Sequence, residues 1–306
     1  MSSPTGPASG LPVRMPRPRQ SGRHRRPEPV AAPEGAPALV LAVPGAPSAA
    51  VRGLAEEVVS IARSELPGLE AGIGFLDGDD AEYPTLAAVV KQAAALRVER
   101  YELAQAAGRE VAEPEGPAAV VVPLLAGPDH ALMARIRDEV ANSGAPAHLT
   151  DVLGPHPLLA EAVHVRLSEA GLARADRARL FTVATAADGI VLATVGGEEA
   201  VQAAGITGML LAARLAVPVM AAALDQEGSV AAVAEQLRGS GSQQLALAPY
   251  LIGPELGQGL LEEAAQAADC PVSEPLGAYP AVGKLVLSQY SAALGLAPQP
   301  QGAPVH

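Results

Sequence analysis

Residues Val120–Asp129 read VVVPLLAGPD, and residues Leu245–Glu255 read LALAPYLIGPE. In each, an apolar run of strand length meets a proline-led turn and then a Gly-Pro pair. About thirty residues further on, each half of the chain carries a second shared phrase: LGPHPLLAEAV from Leu153 and LGAYPAVGKLV from Leu276. Pro123 and Pro249 are 126 residues apart, and Leu153 and Leu276 are 123 apart. Two long phrases in the same order at nearly one offset indicate an internal duplication. A duplication in turn places a binding site either between the halves or in a cleft that each half repeats.

Outward from these phrases, short apolar runs alternate with longer amphipathic ones. In the first half the strands are Leu39–Val43, Gly72–Leu76, Ala118–Leu125 and Ala147–Val152. The helices between and after them run from Ser48 to about Glu65, from about Pro84, over His130–Asn142 and over Pro157–Ala170. Residues 97–116, charged and then Pro-rich, extend the second helix and its loop without a counterpart in the second half. In the second half the strands are Gly189–Val195, Val217–Leu224, Gln244–Leu251 and Pro271–Glu274. Its helices are Glu198–Leu215, Ser229–Arg238, Glu255–Ala268 and Tyr279–Ala293. Wholly apolar strands covered on both faces imply parallel sheets with right-handed crossovers. The expectation is an α/β protein of two tandem domains, each a four-stranded parallel sheet flanked by helices. Ligands of such sheets sit beyond the carboxyl ends of the strands.

The boundaries that follow are a tail over 1–37, domains over 38–170 and 188–294, a linker over 171–187, and a second tail over 295–306. The first tail is rich in Pro, Gly and Ser, and its six Arg face only Glu28 and Glu34. Such a composition buries too little to offset its ordering entropy, so both tails are expected to be disordered. The chain carries a net charge of -12, so the remainder after this +4 tail stands at -16. A body that acidic repels nucleic acid and anionic membranes. With 2% aromatic residues and no Trp, it also lacks stacking platforms for single strands. Every apolar run falls short of the roughly 18 residues a membrane span needs. The tail has no apolar signal-peptide core. One cysteine, Cys270, forms no internal disulfide and suits a reducing cytoplasm.

The phrases LVLAV, VVVPLLAGPD, PHPLLAEAV, PYLIGPE and LGAYPAVGKLV together resemble the sirohydrochlorin chelatase family, the class II chelatases in their long two-domain form. The resemblance covers residues 38–294. It implies two chelatase-like domains and a lyase that inserts Co²⁺ or Fe²⁺ into sirohydrochlorin, on the way to cobalamin or sirohaem. The metal would be a substrate, with no tightly bound cofactor, and the partners would be a tetrapyrrole and a divalent ion. The family carries a Gly-His-Gly-Ser phrase after the first strand, where this chain has Val43-Pro44-Gly45, and Val195-Gly196-Gly197 at the repeated turn. Proline supplies neither a ligand lone pair nor a proton. The alternatives are therefore a non-catalytic relative that keeps a tetrapyrrole or metal cleft, or a structural role with the cleft filled by side chains.

On this reading His130, at a strand's carboxyl end, is the metal ligand and proton acceptor, aided by Asp77 and Asp79 of the acidic loop Asp77–Glu82. Gly45, Gly196, Gly197, Gly253 and the Gly127-Pro128 turn, with Pro128 shaping it, leave backbone N–H groups open for an anionic substrate. His156, whose repeat partner is Tyr279, shapes the cleft and binds the substrate, as does Tyr250 in the Pro-Tyr-Leu turn.

Overall fold

The computed structural model describes residues 31–173 and 187–296, apart from 254, 256 and 258. Most of the sequence-predicted tails and linker therefore lies outside the described residues. The elements are β1 (Ala38–Val43), α1 (Ala49–Glu65), β2 (Ala71–Phe75), α2 (Leu86–Ala106), β3 (Ala119–Pro123), α3 (His130–Asn142), β4 (Ala147–Leu149) and α4 (Pro157–Glu169). They continue with β5 (Gly189–Thr194), α5 (Gly197–Leu215), β6 (Val219–Ala223), α6 (Ser229–Gly239), β7 (Leu245–Pro249), α7 (Leu260–Ala268) and α8 (Pro280–Ala293). The chain is a mixed α/β protein with parallel sheets flanked by helices.

The first sheet has the order β2-β1-β3-β4 and the second β6-β5-β7, all parallel. Strands β1, β3, β5 and β7 are buried along their whole length, as their almost wholly apolar sequences require. The expected fourth strand of the second sheet is absent as a strand. It is reduced to a single bridge, Leu247 to Val272, held by the bonds Leu247 N to Pro271 O and Ser273 N to Leu247 O. Pro271 and Pro275 flank it and have no N–H to give a ladder. The helix expected from Glu255 begins only at Leu260.

Local chemistry sets the helix starts. Ser48, Thr85 and Asp129 cap α1, α2 and α3 by accepting from Val51, Ala88 and Leu132 N–H. α2 is 21 residues of mostly strong helix formers with no Gly or Pro before Gly108, whereas α6, in the matching place, stops after 11 at Gly239.

The halves are interlocked. One hydrophobic cluster takes in Leu39, Leu41 and Val122 of the first sheet and Ile190, Leu192 and Ala248 of the second. Between the sheets α1 packs on α8 and α4 on α5. Each half's last helix also reaches the other half's sheet, α8 against β3 and α4 against β7. Polar bonds follow the same exchange. Arg166 of α4 donates to the Leu276 carbonyl (Nη2 at 2.9 Å), and Gln289 of α8 to the Val152 carbonyl at 3.2 Å. Arg214 Nε of α5 donates to His164 Nδ1 at 2.8 Å.

Residues 31–37 depart from the composition-based reading of a free tail. Ala32 N–H bonds the Pro67 carbonyl, and the wholly buried Tyr290 donates its hydroxyl to the Pro37 carbonyl at 2.7 Å. Arg97 holds the Gly35 carbonyl at 3.0 Å. This segment forms part of a wall.

Candidate functional site

The carboxyl ends of the strands are closed upon themselves. At the turn after β5, the N–H groups of Gly196 and Gly197 both donate to Asp225 Oδ2, at 3.0 and 3.1 Å. The protein's own carboxylate thus fills the anion nest that the Gly pair offers. After β7 the Ile252 and Gly253 N–H groups donate to the two carboxylate oxygens of Glu255, at 2.6 and 2.8 Å. Burial, with Asp129 nearby as a further like charge, pushes the Glu255 carboxyl up to about 7 against the pull of these bonds. Gly196, at φ +109°, sits so close to Pro128 and Asp129 that a Cβ there would lie 2.5 Å from the Pro128 carbonyl oxygen. The turn holding Gly127, Pro128 and Asp129 therefore abuts the Gly-Gly turn of the other half.

The remaining sequence candidates are dispersed. His130 is largely exposed and pairs with Glu199 of α5. Asp77 pairs with Arg135 of α3. Asp79 Oδ1 accepts from the N–H groups of Ala81, Glu82 and Tyr83, and these bonds hold its carboxyl below the usual range. It is a turn former. His156 caps α4, its Nδ1 accepting from Leu158 N at 3.1 Å, and burial lowers its basicity. Gly45 takes a positive φ of 78° in the turn after β1. A Cβ on Gly127 would lie 3.6 Å from the Tyr250 ring, and one on Gly253 3.6 Å from Leu54 of α1. Tyr250 itself is completely buried, its hydroxyl bonded to Thr207 at 3.1 Å, so it packs between the halves. Among the described residues no group of three or more His, Cys, Asp and Glu is arranged to hold a metal ion. His130, Asp77 and Asp79 are not brought together, each being engaged by a different neighbour.

A cavity of about 560 Å³ opens at the opposite edge of the first sheet, at the amino ends of β1 and β2. Its walls are residues 32–37, the Gly68–Glu70 turn, the last two turns of α2, the loop 109–115, and Tyr290 from α8. It is built by the 97–116 extension that has no equivalent in the second half. Arg97 ties it together. The residue is only 8% exposed, and its guanidinium donates to the carbonyls of Gly35 (3.0 Å), Glu115 (3.0 Å), Pro117 (2.7 Å) and, weakly, Gly116 (3.5 Å). Burial and the neighbouring charge of Arg100 lower its affinity for its proton. Arg100 pairs with Glu70 at 2.8 Å and Arg109 with Glu34 at 2.7 Å, both at the rim. Leu103, Ala104, Val111 and Pro114 supply apolar surface, with Leu103 60% exposed. Reading the sequence for sites at strand carboxyl ends misses this cavity. The signal that marks it is the unduplicated extension, rich in Arg and Glu beside Tyr101 and Leu103.

The class that fold and site define is an α/β protein with two parallel sheets and a cavity at one sheet's amino edge. No protein-family model matches the chain. No curated protein matches it either. Among solved structures it is similar to an ABC domain in complex with L-Trp from Streptococcus pneumonia, at 9% identity and a TM-score of 0.35, over 85% of this chain and 84% of that one. A periplasmic ribose ABC transporter structure from Conexibacter woesei matches at 13% identity and a TM-score of 0.29, over 88% and 71%. A periplasmic binding protein/LacI transcriptional regulator from Alkaliphilus metalliredigens, complexed with D-xylulofuranose, matches at 9% and 0.31, over 86% and 92%. None of the three is a chelatase. The resemblance to sirohydrochlorin chelatases is therefore corrected, together with the lyase activity, tetrapyrrole substrate and metal insertion that it implied. No helix among the described residues is long and apolar enough to cross a membrane.

Proposed function

We propose that this chain binds a small organic molecule in the cavity at the amino edge of the first sheet. The observation that carries the reading is the asymmetry of the two halves. An extension without a counterpart in the second half lines, with residues 32–37 and Tyr290, about 560 Å³ of space. That volume falls within the range of ligand pockets, roughly 300–1,000 Å³. A buried arginine ties two wall segments together, at Gly35 and at residues 115–117, and apolar side chains face the opening.

The test uses Nile red, a neutral dye whose emission shifts on entering apolar surroundings. Bound emission with the full chain, lost on Ala112→Trp in the cavity wall, is the expected outcome. Equal binding by both proteins, or none by either, overturns the assignment.

The two halves, 38–170 and 188–294, are on this reading products of a duplication. Strand orders β2-β1-β3 and β6-β5-β7 correspond. Arg166 and Gln289 each stand thirteen residues after the first Leu of their phrase, and each bonds a carbonyl at the start of the other phrase. The free thiol of Cys270 favours a cytoplasmic setting.

A further inference from the structure

Resting on the cavity reading, we infer that the ligand is an acid: a small molecule with an anionic head, a carboxylate in the first instance, on an apolar body. The inference begins with an imbalance. Buried charges in proteins are ordinarily paired with an opposite charge. Arg97 is buried, yet among the described residues the partners of its guanidinium are all neutral backbone carbonyls. Arg100, one helical turn away on α2, adds a second positive charge close enough to make Arg97 a weaker base. Two guanidiniums thus flank the cavity wall without a buried counter-ion. Guanidinium has five N–H donors; the carbonyl bonds of Arg97 leave one N–H of Nη2 for a further acceptor.

The carboxylates nearby are at the rim. Arg100 and Glu70 are 39% and 58% exposed, and Arg109 and Glu34 58% and 70%. Ion pairs so open to water contribute little, typically 1 kcal/mol or less. An incoming acid can therefore take Arg100 from Glu70 at small cost. Bound within the cavity rather than at its rim, it compensates Arg97 as well, where the lower local polarity strengthens the attraction. A neutral or cationic head gains nothing of this kind from the inner wall. Leu103, Ala104 and Val111, lining the same space, receive the body of the molecule.

The probe is 1-anilinonaphthalene-8-sulfonate, an apolar body with an anionic head, bound to the full chain and displaced by decanoate or by decan-1-ol. Nile red runs alongside. The expected result is displacement by decanoate at about tenfold lower concentration than by decan-1-ol. Arg100→Gln should weaken the anionic probe about tenfold, a larger loss than it causes in Nile red. Glu70→Gln, by removing the competing carboxylate, should tighten the anionic probe two- to fivefold. If decan-1-ol competes as well as decanoate and Arg100→Gln is silent while Nile red still binds, the acid inference falls and the cavity reading stands. If Nile red also fails to bind, or binds Ala112→Trp equally, the cavity reading itself falls. Phosphate-headed competitors that outperform decanoate while obeying the same two substitutions would keep the anionic head and overturn the carboxylate.

Discussion

Removing the Arg97 side chain tests how the cavity is held open. In Arg97→Ala three short bonds from a charged donor are lost at once, to the carbonyls of Gly35, Glu115 and Pro117, with a fourth, longer one to Gly116. Hydrogen bonds to charged groups contribute about 1.5–3 kcal/mol each, so the three short ones set an upper limit near 9 kcal/mol. Two effects reduce it. Glu115 and Gly116 are exposed, so their carbonyls recover water once the guanidinium is gone. Removal also eliminates the cost of keeping a buried cation beside Arg100. A net loss of about 2–4 kcal/mol remains, equivalent to roughly 3–6 °C in Tm for a chain of this size. Urea unfolding followed by far-ultraviolet circular dichroism measures it, since the chain has no Trp to report. Arg97→Lys should recover less than half, because an ammonium cannot reach both Gly35 and the 115–117 carbonyls with a planar fork. Nile red binding should be lost with Arg97→Ala under conditions where the protein is still folded. A loss below about 0.5 kcal/mol, or full rescue by lysine, would refute the clamp.

Two further predictions concern the junction of the halves. Glu255, half-buried and near Asp129, has its carboxyl pushed up to about 7, so the fold binds this proton more tightly than the unfolded chain does. The stability this gives is fully present below the ordinary carboxylate range and is lost as pH rises to about 7. The urea midpoint of the wild type should fall over that window, and Glu255→Gln should flatten the fall; an equal fall in both proteins would dismiss Glu255 as its source. Gly283 of α8 faces α1 so closely that a Cβ would lie 2.5 Å from Ile61 Cγ2 and 3.2 Å from the Val58 carbonyl. Overpacking of this kind costs about 1–3 kcal/mol and outweighs the roughly 1 kcal/mol helix gain from Gly to Ala. Gly283→Ala should accordingly lower the urea midpoint, and a raised midpoint would show that α1 and α8 are not in tight contact.

How far the site could be read from sequence follows from what each kind of residue needs. The Gly-Gly turn after β5 was legible as an anion nest, since adjacent N–H groups at a helix start have that property wherever they occur. That its occupant is Asp225, 28 residues away, depends on β6 ending beside β5. The same holds for His130, whose partner Glu199 lies in the other half. Tyr250 was expected among the substrate-binding residues, and only the packing of α5 against it through Thr207 put it in the core. Repeated phrases suggested a shared chemistry, but they mark the places where one half grips the other.

By itself the sequence determined the alternation of strands and helices, their parallel arrangement and nearly all their limits. Apolar periodicity, caps and breakers act within a few residues, so they are written locally. It also marked residues 97–116 as the one stretch the second half lacks. Tertiary structure alone decided that the prolines around Val272 leave a bridge in place of a fourth strand. It alone decided that α4 and α8 exchange partners, that the strand-end carboxylates are consumed internally, and that the extension closes a cavity around a buried Arg97. Each of these depends on which distant groups meet. A buried charge or a free N–H becomes a site or a strut according to the partner that the fold brings to it.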